Sequence, residues 1–278
     1  MTTATPYDPS ADPFEGIDVA VDERVVTITI DRPAVYNAIT VGHMMHINGV
    51  CQWAETNEAV RCVVITGTGS AFCTGADLGG MDVGAADTPP PIDSSDADLY
   101  GPLMQLNKPT IAAVNGVAAG GGLGIALCCD VRIASDRARF ATSFLRIGVV
   151  ANDTVPWLLP RLIGQSRALE MIYDPRPVDA TWAAEAGLVN RVVPHEELRD
   201  NVTELALRWA SGPPYAVRHS KRLVLEAAGR SYRDFVMLQE YAHLATRTAA
   251  AGDIAEGVAA FMEKRAPNFA GADKLRTT

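Results

Sequence analysis

The chain has 278 residues, 48% apolar and 21% charged, with 24 Lys+Arg against 33 Asp+Glu and a formal net charge of −9. That apolar content excludes a disordered or low-complexity protein, and at roughly 150 residues per domain the length predicts one or two domains with a sizeable core. The acidic balance argues against nucleic acid or an anionic membrane as the main partner, while leaving room for a local site for a small anion.

In chain order, residues 1–17 are rich in Thr, Asp and Pro and read as a loose arm. No Lys or Arg precedes Arg24 and no apolar block opens the chain, so neither a signal peptide nor a transit peptide is expected. Residues 25–30 (VVTITI) are β-branched and predict a strand, broken by Asp31-Arg32-Pro33. Thr40 reads as the N-cap of a helix running to about Trp53. A second strand spans residues 61–66 (RCVVIT), closed by Gly67-Thr68-Gly69, and residues 79–102 read as a long loop. Residues 110–114 predict a short buried strand, followed by the turn Asn115-Gly116, the triplet Gly120-Gly121-Gly122, a buried helix over 123–129 and a strand over 131–134. This alternation predicts an α/β core over residues 18–200. From Val155 onward the strand signal fades. Helical segments near 155–163, 166–172, 179–186, 196–210, 215–227, 232–250 and 253–264 dominate, giving a helical C-terminal region over 201–278.

Thr110 to Cys129 carries no charge, but five glycines interrupt it, too many for a membrane span. The five cysteines are odd in number and lie mostly among apolar neighbours. They read as reduced core residues of a cytoplasmic protein.

Nucleotide motifs fail when tested. Gly67-x-Gly69 is followed by Phe72 where the dinucleotide fingerprint needs glycine, and no GxxxxGK[ST] loop occurs. Gly164-Gln165-Ser166-Arg167-Ala168 resembles a nucleophile elbow without its last glycine, and it follows a helix rather than a strand. His43 and His46 share a helix face without an acidic or Cys partner at helical spacing, so they read as structural and no metal is expected. Two backbone features remain: the turn Ser70 to Leu78, and the strand-to-helix junction Asn115 to Gly122. Glycines at a helix start leave N–H groups unpaired and admit a ligand close to the backbone, where the helix dipole favours negative charge. If the N–H groups of Ala76 and Gly121 converged they could hold an oxyanion. Tight strand–helix packing explains the same glycines.

An ordered series of segments resembles the crotonase (enoyl-CoA hydratase/isomerase) family. It comprises Asp31-Arg32-Pro33 with Asn37-Ala38, Phe72-Cys73-Thr74-Gly75-Ala76-Asp77-Leu78, Lys108-Pro109-Thr110 through Asn115-Gly116, Ala119-Gly120-Gly121-Gly122 and Cys129-Asp130. Leu159-Pro160-Arg161-Leu162-Ile163-Gly164, Ala186-Gly187-Leu188-Val189 and Phe261-Met262-Glu263-Lys264-Arg265 continue it, so the likeness runs from about residue 18 to 270. The resemblance implies a crotonase-like spiral of ββα turns with a C-terminal helical trimerisation region, assembling as a homotrimer or dimer of trimers. It implies an acyl-CoA thioester substrate, coenzyme A arriving as part of that substrate and no separate cofactor. It places the oxyanion hole on the N–H groups of Ala76 and Gly121. CoA and substrate contacts map to Ala34, Tyr36, Ala38, Thr74, Asp77, Leu78 and Gly120, to Phe144 and Ile147 beside the acyl group, and to Phe261 and Lys264, Lys264 reaching the CoA of a neighbouring subunit. Tyr36 stands where relatives often carry Lys or Arg.

Two departures bear on the reaction. Family hydratases use two glutamates, and the matching positions here are Gly124 and Phe144, neither of which transfers a proton. Many family isomerases place one carboxylate four residues after a glycine; counted from Gly148 that position is Asn152, with Asp153 one beyond. Asp153 could be a general base, or the cap of the helix starting near Val155. Asn152-Asp153-Thr154 resembles in letters the motif of the family's dehalogenases, shifted by one residue. Phe144 and Trp157 suit a bulky acyl group or the core. The leading expectation is enoyl-CoA double-bond isomerisation. A catalytically silent acyl-CoA binder and a hydratase with relocated acid and base are the alternatives.

Overall fold

The computed structural model describes residue 9 and residues 13–80 and 98–270. Six strands form one sheet: β1 (Ile17–Asp22), β2 (Val25–Ile30), β3 (Cys62–Gly67), β5 (Thr110–Val114), β7 (Val131–Ser135) and β10 (Arg191–Val193), in that spatial order. β1 pairs antiparallel with β2, and every later neighbour is parallel. A second sheet holds β4 (Ala71–Cys73), β6 (Val117–Ala119), β8 (Arg139–Ala141) and β9 (Val178–Asp179). The consecutive pairs β3–β4, β5–β6 and β7–β8 each give one strand to each sheet. The chain therefore advances as a spiral of two-strand turns, with helices packed where the turns close.

Ten helices are described: α1 (Val41–Thr56), α2 (Gly101–Met104), α3 (Gly121–Cys128), α4 (Val155–Ile163), α5 (Gln165–Tyr173), α6 (Ala180–Ala186), α7 (Leu198–Ala210), α8 (Pro214–Ala227), α9 (Tyr232–Ala249) and α10 (Ala251–Glu263). Parallel strands covered on both faces need apolar side chains on both, which is why β5 is buried at every position and VVTITI and RCVVIT read so plainly. One core lies around α3 between the sheets. A second lies under α7, where Val202, Leu205 and Ala206 pack on Val64, Ile111 and Ile133. Each fully buried Ile, such as Ile28, Ile65, Ile111 or Ile133, contributes about 1.5–3 kcal/mol relative to an exposed one.

α1 starts at its predicted cap: the Thr40 hydroxyl and the His43 Nδ1 are 2.7 Å apart, and the Thr40 N–H donates to the same ring nitrogen. His43 is buried against Phe14, which also stacks on His46, so position 14 within the predicted arm is packed rather than loose. Several elements differ from the sequence reading. β1 was not expected, and neither were the two- and three-residue strands of the second sheet. β10 joins the large sheet beyond the point where the strand signal fades. Within the predicted 79–102 loop, Leu78–Gly80 is a 3-10 turn and Gly101–Met104 is helical, while residues 81–97 lie outside the described residues. All five cysteines are buried free thiols, and among the described residues no helix is long and apolar enough to cross a membrane.

Candidate active site

The turn leaving β4 is fixed from below. Ile39 N–H donates to Gly75 O at 2.8 Å and Asp77 N–H donates to Ile39 O at 2.8 Å, a parallel bridge centred on Ala76. In such a bridge the residue between the two bonds turns its own N–H the other way, so that of Ala76 faces away from Ile39. Gly75 has φ 93° and Gly120 φ 52°, conformations that strain any residue with a Cβ. After Gly120, α3 begins, and the N–H of its first residue, Gly121, has no acceptor within its own helix. The two turns touch: a Cβ on Gly75 would lie 3.0 Å from Gly121 N.

The packing explanation holds for part of the glycine series. A Cβ on Gly122 would lie 2.0 Å from Cys73 O, and one on Gly116 2.0 Å from Ser70 O, so these two glycines let α3 and β6 rest directly on the β4 turn. Gly121 and Gly124 differ, because Asp153 and Tyr100 from other segments occupy the space they leave.

The loop after β2 is tied to the Ala76 turn. The Arg32 guanidinium donates to Ala38 O and to Asp77 Oδ2 (3.0 Å), and Thr74 Oγ1 donates to Tyr36 O at 3.1 Å. The Arg32 hydrogen bond holds the Asp77 carboxyl below its usual range. Asn37, fully buried, accepts from Arg32 N–H (2.8 Å) and donates to Thr68 O (2.9 Å) and Ala71 O (2.7 Å). Asn37→Ala removes all three bonds, with Ala71 O keeping only its Asn115 Nδ2 donor, and is expected to cost about 2–4 kcal/mol in urea denaturation. A loss below about 0.5 kcal/mol, within the range of ordinary surface substitutions, would show that the carboxamide does not join the two loops.

Asp153 enters from the opposite side. Asp153 and Thr154 both take left-handed conformations, φ 54° and 67°, before α4. The N-cap of α4 is Thr154, without a side-chain cap bond; Val155 N–H donates to Asn152 O in the turn before the helix, and the Trp157 and Leu158 N–H groups donate to Thr154 O to close its first turn. Asp153 therefore does not cap the helix. Its Oδ2 lies 2.9 Å from the point where a side chain on Gly121 would begin, and its backbone O 2.4 Å from the same point on Gly124. Partial burial pushes the carboxyl above its ordinary pKa. Asn152 is exposed. At the two positions that the motif resemblance assigns to the hydratase glutamates, Gly124 is filled by the Asp153 backbone and Phe144 is buried with its ring beside Gly120.

The structure thus gathers Ala38, Thr74, Ala76, Asp77, Gly120, Gly121, Phe144 and Asp153 around the two turns. Ala34, Tyr36 and Leu78 are exposed along their rim, and Ile147 is exposed at the end of the 3-10 turn Phe144–Ile147. Phe261 and Lys264 lie exposed at the end of α10, and the described hydrogen bonds link neither to this cluster. Trp157 is half-exposed under the Arg161 guanidinium rather than in the core. Sequence reasoning missed Tyr100, whose hydroxyl donates to Gly121 O at 3.3 Å. A lone aromatic before Gly-Pro in an apparent loop carries no signal for that placement.

The family model for enoyl-CoA hydratase/isomerase matches residues 20–272. The 1,2-epoxyphenylacetyl-CoA isomerase of Escherichia coli K12 is 34% identical over 256 residues, covering 90% of this chain and 97% of the relative. The 2,3-dehydroadipyl-CoA hydratase of the same strain is 32% identical, covering 91% and 98%. The crystal structure of an enoyl-CoA hydratase from Bacillus anthracis superposes with a TM-score of 0.81 at 30% identity, covering 92% of this chain and 99% of that one. The two-sheet spiral with its paired backbone turns is the crotonase architecture. The chain belongs to the enoyl-CoA hydratase/isomerase family and is an enzyme of that family.

Proposed function

We propose that this enzyme moves a carbon–carbon double bond in an enoyl-CoA thioester, with Asp153 as the single general base. The observation that carries the reading is the Asp153 carboxylate beside Gly121, at a site where both hydratase glutamate positions lack an acid. The relatives' names include both an isomerase and a hydratase, so the side chains decide.

In the forward sense, Asp153 removes a proton from C2 of a 3-enoyl-CoA. The electron pair left behind delocalises into the C1 carbonyl and the 3,4 double bond, and the negative charge settles on the thioester oxygen. The N–H groups of Ala76 and Gly121 receive that oxygen, each worth about 3 kcal/mol of barrier. Asp153 returns the proton at C4, the double bond now lies between C2 and C3, and the carboxylate is regenerated. Water addition needs an activated water and a second proton carrier as well, and Gly124 and Phe144 supply neither. Phe144 bounds the acyl side, and the Ala34–Ala38 loop with the Thr74–Leu78 turn faces the CoA, Tyr36 offering a ring in place of a cation.

The purified enzyme is expected to convert a 3-enoyl-CoA to the 2-enoyl isomer and to leave crotonyl-CoA unhydrated. Its kcat/KM should fall on acidification through a pKa above the ordinary carboxylate range, because the base must be ionised and burial raises the pH at which it ionises. An acid limb at or below about pH 4 would remove Asp153 from the role. CoA-ester binding in calorimetry with no turnover across a substrate panel would make the chain a silent binder.

Tyr232, Met237, Tyr241, Val258, Phe261 and Met262 are exposed on α9 and α10, more apolar surface than a free monomer keeps in water. This supports a homotrimer or dimer of trimers covering that face, which would also bring Lys264 toward a neighbour's CoA; sedimentation at micromolar concentration tests it. The five buried thiols support a reducing, cytoplasmic location.

A further inference from the structure

Tyr100 immediately precedes α2 and is buried. A buried tyrosine in place of phenylalanine brings a hydroxyl that must find a partner. It finds Gly121 O, a carbonyl in the first turn of α3 that the helix itself provides with an N–H four residues on. The backbone therefore has no need of this donor. The hydroxyl and Asp153 Oδ2 flank one point, lying 2.8 and 2.9 Å from where a side chain on Gly121 would begin. The Tyr100 ring and the Asp153 backbone likewise share the space left by Gly124, at 3.4 and 2.4 Å. Two glycines of α3 hold open one corner for one hydroxyl and one carboxylate.

The titratable groups facing this corner are Cys73 from β4, Cys128 from α3, and Asp153 and Tyr100 themselves. Burial pushes both thiols up to about 12, so they stay neutral. Tyr100 is raised by burial and then by the Asp153 charge, which keeps it a neutral donor throughout.

We propose that Tyr100 is the positioning residue of the base: its hydroxyl, held at Gly121 O while Asp153 is protonated, turns to donate to the carboxylate once Asp153 ionises. The single hydroxyl proton has one acceptor in each state of the reaction cycle. It orients the carboxylate toward the thioester carbons when the proton is to be removed, and releases it when the proton is to be delivered. This rests on the reading of Asp153 as the base.

The test is the titration of Asp153, followed by 13C NMR of carboxyl-labelled aspartate in the full chain, together with steady-state kinetics. Tyr100→Phe keeps the ring and removes the hydroxyl. Losing a donor to the charged form should raise the Asp153 midpoint by about one pH unit, and lower kcat about tenfold with KM within about twofold. Leu103→Ala, fully buried in the helix that Tyr100 precedes, loosens α2 while leaving the hydroxyl in place. It should lower Tm without moving the Asp153 midpoint. An unmoved midpoint and kcat in Tyr100→Phe, or the same midpoint shift in Leu103→Ala, overturns the proposal. A wild-type Asp153 titrating in the ordinary carboxylate range would instead defeat the base reading. A raised wild-type midpoint that Tyr100→Phe leaves in place defeats only the role of Tyr100.

Discussion

Asp153→Asn is expected to lower kcat by about 10³-fold, within the range of a lost general base, while leaving the protein as stable as before or more so at pH 7. The two halves of that expectation have separate origins. Asn matches Asp in shape and accepts a left-handed φ, so the 54° at this position is not a reason for the variant to misfold. Its amide takes no proton from a carbon acid. The stability half follows from the sign of the pKa shift. The carboxyl is raised in the folded state by burial, so its favourable contribution is present below the unfolded-state pKa and is lost as pH rises through the folded one. At pH 7 the wild type carries a half-buried charge that burial disfavours, and the variant does not. Melting curves of the two proteins should therefore lie closest in acid and separate, with the variant higher, toward neutral pH. Had Asp153 been a helix cap, the same substitution would have kept full turnover, since Asn caps a helix as well as Asp does. Full turnover in Asp153→Asn ends the proposed mechanism; a variant that has lost turnover and also unfolds easily shows a structural role instead.

How much of this could be read from residues alone depended on how many neighbours a segment needs to define it. VVTITI and RCVVIT are buried at most positions, and their β-branched and apolar runs state that without help. β1 is an edge strand with only Ile17 buried in IDVAVD, so its pattern is diluted by an exposed face. The strands of the second sheet have three residues or fewer, shorter than the window in which a period of two is recognisable; they are strands because β6 lies between β4 and β8. α3 is apolar on every side and has no amphipathic signature, so its glycines were more visible than its helix.

The site divides along the same line. The Ala76 and Gly121 turns were legible because each is a contiguous run whose glycines have a backbone reason. The Arg32–Asp77 and Asn37 ties were not, since they join residues distant in sequence through contacts no spacing rule describes. Asp153 was legible as a candidate only. Its direction follows from two consecutive left-handed residues, which neither Asp nor Thr announces. Tyr100 was invisible, because its meaning lies wholly in which carbonyl and which carboxylate it meets.

The position corresponding to the first hydratase glutamate gives the second large effect. Gly124→Glu is expected to destabilise the protein by at least about 2 kcal/mol, within the range of overpacked cores, and to abolish isomerisation without creating hydration of crotonyl-CoA. A Cβ there would stand 2.4 Å from Asp153 O, a distance real side chains do not show, and 3.4 Å from the Tyr100 ring. The first contact is with backbone, so relief requires moving the 152–154 segment, the segment that aims Asp153 at Gly121. The new acid and the proposed base thus compete for one space, so restoring one hydratase residue displaces the carboxylate proposed for isomerisation. Gly148→Ala provides the contrast. Gly148, unlike Gly124, has a positive φ, 72°, but nothing lies within 4 Å of its Cβ position, so only backbone strain of about 1 kcal/mol is expected and Asp153 should remain in place. Tm and the two activities, measured on both variants, separate crowding from strain. Hydratase turnover in Gly124→Glu would show that the Asp153 segment yields readily, and that the absence of the glutamates does not by itself determine the reaction.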